Sequence, residues 1–66
     1  MIIFINGKEE FLNEGTALSE VIDLKGFNPD TIIVEYNFEL VKKESWAGIT
    51  LKNNDRLEIL RFVGGG

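Results

Sequence analysis

Arg56-Leu57-Glu58-Ile59-Leu60-Arg61-Phe62-Val63-Gly64-Gly65-Gly66 closes the sequence, and the fold turns on how its first part is read. Apolar residues dominate positions 56–63, which suits a strand at the centre of a sheet. Alternation places Leu57 and Ile59 on one face and Glu58, Leu60 and Phe62 on the other. Three glycines follow with no linker between strand and tail. Glycine reaches backbone angles that other residues avoid, and it has no side chain to clash with a narrow channel. Three such residues, extended, reach roughly 10 Å beyond the domain body.

The remaining segments supply neighbours for that strand. Met1-Ile2-Ile3-Phe4-Ile5 is apolar and β-branched and predicts a strand buried on both faces or nearly so. Asn6-Gly7 is the dipeptide best suited to a type I′ hairpin turn. The more polar residues 8–13 then form the antiparallel partner at a sheet edge, where Glu9 and Glu10 discourage strand addition. Thr16 is placed as the N-cap of a short helix over 17–25, with Leu18, Val21 and Ile22 on one face. Gly26 suits the left-handed position that ends it, and Phe27 closes a contact back to Ile22. Asn28-Pro29-Asp30 turns into a third strand at 31–36, and Asn37-Phe38 turns that into a brief strand at 39–41. Phe38 is an unusual second residue for such a turn. Residues 42–48 form a loop with one tight helical turn around Trp46, a packed edge residue. Asn53-Asn54-Asp55 connects 49–51 to the last strand.

A strand pair, a helix and more strands imply an α+β fold: a mixed four- to five-stranded sheet with one short helix packed across one face. The last strand lies parallel to the first through a right-handed crossover. Residues 1–63 form the domain, and 64–66 a flexible C-terminal glycine tail.

Composition removes many chemistries. The chain of 66 residues holds no cysteine and no histidine. That leaves no disulfide, no thiol nucleophile and neither of the commonest metal ligands. Eleven acidic residues against seven basic ones give a net charge of −4, and the cations are scattered. Nucleic-acid binding, which needs a clustered basic surface, is set aside. No apolar run approaches a membrane span, and residues 1–5 do not read as a signal peptide. The expectation is a cytoplasmic monomer that binds no cofactor and no metal.

Several short motifs, in order, carry a resemblance over the whole length. They are Phe4-Ile5-Asn6-Gly7, Gly15-Thr16-x-Leu18, Val34-x-x-Asn37, Val41-x-x-x-x-Trp46, Asn54-Asp55-x-Leu57-x-Ile59 and the glycine end. In this order they resemble the ThiS family of sulfur carriers in thiamine biosynthesis, which have the β-grasp fold of ubiquitin-like proteins. Gly64 precedes the family's minimal terminal Gly-Gly, and no glycine follows Asn37; both depart from the family pattern. The resemblance implies that Gly66, with Gly65 as its stem and Gly64 as slack, carries the sulfur on its carboxyl group. An α-carboxyl group ionises well below neutral pH, so it is an unreactive anion there. An E1-like (ThiF-like) adenylyltransferase is implied to activate it with ATP and magnesium. A cysteine desulfurase or other sulfur donor then forms the thiocarboxylate, and a ThiG-like thiazole synthase receives the sulfur. The chain is then a carrier and co-substrate, not an enzyme. Alternatives are sulfur transfer to molybdopterin or another pathway, and a ubiquitin-like non-catalytic binding module.

Alternation also suggests where partners dock. With Ile3, Ile5, Val34, Tyr36, Leu57 and Ile59 turned toward the helix, the open face gathers Phe4, Ile33, Leu60 and Phe62 near the tail. An exposed apolar cluster of this kind marks an interface. Arg61, on the opposite face, is expected to pair with an acidic group of a partner. Lys42 and Lys43 are expected to be solvated.

Overall fold

The computed structural model describes residues 1–62. Its element order is β1 (Ile2–Ile5), β2 (Lys8–Phe11), α1 (Leu18–Leu24), β3 (Ile32–Tyr36), β4 (Glu39–Val41) and β5 (Arg56–Arg61), with short 3-10 turns at Pro29–Thr31 and Lys43–Gly48. The five strands form one sheet in the order β2-β1-β5-β3-β4. β5 is central, parallel to β1 and antiparallel to β3. This is the α+β arrangement expected from the order of elements.

Both hairpins use two-residue turns with positive φ at each central position, as type I′ geometry requires. In the first, Asn6 and Gly7 have φ of 51° and 81°; in the second, Asn37 and Phe38 have 48° and 72°. Each turn asparagine also extends a ladder. Asn6 donates its backbone N–H to the Leu57 carbonyl at 2.8 Å. Its carboxamide then accepts from the Ile59 N–H at 2.7 Å and donates to the Ile59 carbonyl at 3.2 Å. β1 has already turned away, so one side chain stands in for its missing next residue. Asn37 does the same on the other side: its backbone N–H donates to the Arg56 carbonyl, and its Oδ1 accepts from the Arg56 N–H, each at 2.8 Å.

The helix starts differently from expectation. Thr16 does not cap it; its hydroxyl donates to the Asn13 carbonyl at 2.7 Å. Residues 16–18 are drawn instead into pairing with 49–51. Leu51 N–H donates to the Thr16 carbonyl and Leu18 N–H to the Ile49 carbonyl, both at 2.9 Å. The N-cap falls on Ala17, which has no side-chain acceptor, and only the Glu20 carboxylate answers by accepting the Ala17 N–H at 3.0 Å. At the other end, Gly26 takes φ of 74° and the Phe27 N–H donates to the Ile22 carbonyl at 3.1 Å, the expected left-handed stop.

Ile3, Leu18, Val21, Ile22, Val34 and Leu57 are almost fully excluded from solvent between helix and sheet. Trp46 is buried with them at the core, its indole N–H donating to the Val41 carbonyl at 3.2 Å.

Candidate functional site

Strand alternation and sheet order settle what the open face displays. Ile33 and Leu60 stand directly opposite each other across β3 and β5, 41% and 51% exposed. Phe62 lies two residues beyond Leu60, so it falls on the same side. Its backbone N–H donates to the Thr31 carbonyl at 3.1 Å, and its ring is about half exposed. These three side chains come together at the end of β5 that leads toward residues 63–66.

Phe4 does not join them. It is level with Arg56, four residues before Leu60, a separation of about 13 Å along the strand. Its ring is half-buried beneath the Arg56 guanidinium, 5.1 Å from the ring centroid. A two-residue parallel register puts β1 beside the start of β5, away from its end. Leu40, absent from the expected cluster, takes Phe4's place. It is 70% exposed and pairs with Glu35 next to Ile33. The signal was available: a two-residue turn at Asn37-Phe38 sets Tyr36 opposite Glu39 and therefore Glu35 opposite Leu40. Beside Leu40, an open groove of about 510 Å³ is lined by Ile33, Val41, Lys42 and Trp46 among others.

A polar band bounds the patch. Glu35 and Glu58 face each other in register, an arrangement that costs stability because like charges stand directly opposite. Arg61 lies on the other face, exposed, with its guanidinium 5.6 Å from the Phe27 ring centroid. Lys43 is not merely solvated; its ammonium contacts the Asp30 carboxylate at 2.6 Å, a hydrogen bond and ion pair that raise its pKa.

At the opposite end of β5, the two turns that precede it and flank it are tied by Asp55. This carboxylate is 8% exposed. It accepts from the Tyr36 hydroxyl at 2.7 Å, the Lys52 backbone N–H at 2.7 Å and the Asn37 amide at 3.1 Å. Burial disfavours its charge, but these donors and the Lys52 charge prevail and hold its pKa below the ordinary value. The Tyr36 hydroxyl is pushed up to about 12 by burial and by the charged Asp55 carboxylate to which it donates a hydrogen bond. The network is structural: it aligns the start of β5.

Among the described residues, no three metal-binding side chains converge, and no helix is long and apolar enough to cross a membrane. Gly64, Gly65 and Gly66, and the boundary drawn at 63–64, lie outside the described residues.

The sequence pattern of the ThiS family matches residues 3–66. The chain belongs to the ThiS family. It is 32% identical to the sulfur carrier protein ThiS of Bacillus subtilis, over 94% of this chain and 96% of that one. It is also 36% identical to the uncharacterized protein ycf40 of Trieres chinensis, over 96% of this chain and 86% of that protein. A thiazole synthase of Magnetococcus marinus matches the whole chain at 32% identity, but the match spans only 20% of that longer protein. Among solved structures, the crystal structure of the thiamine biosynthesis protein ThiS of Geobacter metallireducens superposes with a TM-score of 0.86 at 32% identity, covering both chains completely. The β-grasp architecture of this ThiS-family chain is therefore shared with a solved relative.

Proposed function

We propose that this chain is a sulfur carrier in thiamine biosynthesis and that the carboxyl group of Gly66 is the atom-bearing handle. The observation that carries the proposal is the match to the ThiS family, which extends through the glycine end at residue 66. The described domain offers no cysteine, histidine or metal cluster to compete with that carboxylate.

In this reading the carboxylate oxygen attacks the α-phosphorus of ATP held with magnesium by an E1-like partner, and pyrophosphate leaves. The acyl-adenylate is a far better electrophile than the anion. A persulfide sulfur, supplied by a cysteine desulfurase or other donor, attacks the acyl carbon and AMP leaves. A thiol then cleaves the acyl disulfide, leaving the thiocarboxylate. All acid–base groups for these steps belong to partners, and the chain acts as co-substrate. Thiazole synthase is the proposed acceptor. Support for it comes from thiazole synthases that contain a stretch similar to this entire chain.

Docking is assigned to the apolar end of the open face: Leu60, Phe62 and Ile33, joined by Leu40. Strand β5 then couples the docking surface directly to the segment that carries Gly66. Phe4 is left as a peripheral contact. Replacing Phe62 by Asp should raise KM for the carrier in ATP-dependent adenylation by about tenfold or more, since a charge would be buried in an apolar contact, with the thermal midpoint unchanged. Normal KM in that variant would place docking elsewhere.

A further inference from the structure

The last described stretch of β5 is held unlike the rest of the strand. Up to Leu57 it is flanked by backbone on both sides, and at Ile59 the Asn6 carboxamide supplies the β1 side. Beyond Ile59, among the described residues, its ladder partners come from the β3 side alone: Ile33, Ile32 and the Thr31 carbonyl. A strand end paired on one edge is held by fewer backbone hydrogen bonds than one paired on both, so a side-chain contact there adds to its support. Arg61 makes such a contact. Its guanidinium lies over the Phe27 ring at 5.6 Å, within the range of a cation–π contact.

Phe27 is a fixed anchor. Its backbone is bonded to Ile22 at the helix stop, and its ring packs half-buried against the core. The acceptor of the Phe62 N–H is ordered too. Thr31 donates its hydroxyl to the Asn28 carbonyl at 2.8 Å, and the Asn28 side chain accepts from the Asp30 N–H at 3.0 Å. The end of β5 is therefore clamped on the helix face by Arg61 and Phe27, while the opposite face stays clear for docking.

We infer that Arg61 is a positioning residue for the transfer reaction. By resting on Phe27 it fixes the direction in which the chain leaves the sheet at Phe62 toward Gly66. The inference rests on the carrier reading above. It differs from a direct role for Arg61 at the partner surface, because it makes Phe27 an equal member of the device.

Three variants of the full chain, Arg61→Gln, Arg61→Lys and Phe27→Leu, test this by pyrophosphate release with an adenylating partner and by backbone amide order parameters at Arg61 and Phe62. Arg61→Gln and Phe27→Leu should each lower kcat by about tenfold, the cost of small misplacement of a reacting group. KM should stay within about twofold, because docking is intact. Arg61→Lys keeps a cation over the ring and should recover most of the rate. A fourth variant that combines Arg61→Gln with Phe27→Leu should be no worse than either single one, as expected for partners in one contact. Order parameters at Phe62 should fall in both single variants at temperatures well below their thermal midpoints. A raised KM in Arg61→Gln with wild-type kinetics in Phe27→Leu would make Arg61 a partner contact and overturn the inference. Unchanged order at Phe62 would overturn it as well. Absence of any adenylation of the wild-type chain contradicts the carrier reading itself, and that result precedes every comparison of variants.

Discussion

Single polar residues fix where β5 begins and how far it is supported. Asp55 gathers three donors, from the end of β3, the turn after it and the turn before β5, so its ionised form is stabilised only in the folded protein. A carboxyl group with a depressed pKa contributes stability that is present above its unfolded value and is lost as pH falls through the folded value. Stability should therefore fall as the pH drops below about 4. Asp55→Asn should cost about 1–3 kcal/mol at pH 7, because its new amide N–H faces the donors that the carboxylate satisfied. It should also flatten the acid limb, and urea melts from pH 2 to 7 would read both effects. An acid limb of unchanged steepness in that variant would assign the proton uptake to other groups. Phe38 is the converse case. It sits at φ of 72° and is 79% exposed, so it bears left-handed strain with little burial to offset it. Phe38→Gly should raise stability by up to about 1 kcal/mol, net of glycine's larger unfolded-state entropy, as read from thermal melts. A lower melting temperature would show that the Phe38 ring contributes packing.

At the scale of elements, the sequence disclosed local chemistry and concealed long-range pairing. Asn6-Gly7 and Asn37-Phe38 are readable as turns because the backbone demand is local. That the Asn6 side chain also carries the ladder to Ile59 is not readable, since its partner lies 53 residues away. The helix start failed for the same reason. Thr16 is a favoured N-cap residue type, but the pairing of 16–18 with 49–51 shifts the start by one residue to Ala17, three residues before Glu20. Ala17 already has the extended cap backbone, with φ of −85° and ψ of 157°. Ala17→Ser should therefore supply the missing acceptor and stabilise the domain by about 0.5–1 kcal/mol. For a domain of this size that is a rise of several degrees in melting temperature. A fall in stability would mean that the hydroxyl disturbs the pairing of Ala17 with Thr50, an isolated antiparallel bridge. Facing of the strands was legible from alternation, except that Ile2 and Phe4 are only half-buried where burial on both faces was expected, and Arg61 is exposed on the inward side of β5. The place of Leu40 was legible through the Asn37-Phe38 turn, whereas the place of Phe4 was not, since it depends on the β1–β5 register.

For the whole molecule, the sheet divides its labour between two faces. One face buries the core under the helix, and the other leaves Ile33, Leu40, Leu60 and Phe62 uncovered at a single corner. β5 runs through the centre of the sheet, and its last described residues lie at that corner. The acidic balance of the sequence, −4 overall, would favour encounter with a basic partner surface, and the association rate should then fall as salt is raised. Whether Gly66 carries sulfur is read from the intact mass of the chain, and of its C-terminal peptide, after incubation with an adenylating partner, ATP, magnesium and a persulfide donor. One oxygen should be replaced by sulfur on the peptide ending at Gly66, with no replacement once Gly66 is deleted. An unmodified wild-type chain, under conditions where the partner converts its own carrier, would show that Gly66 is not the sulfur-bearing group.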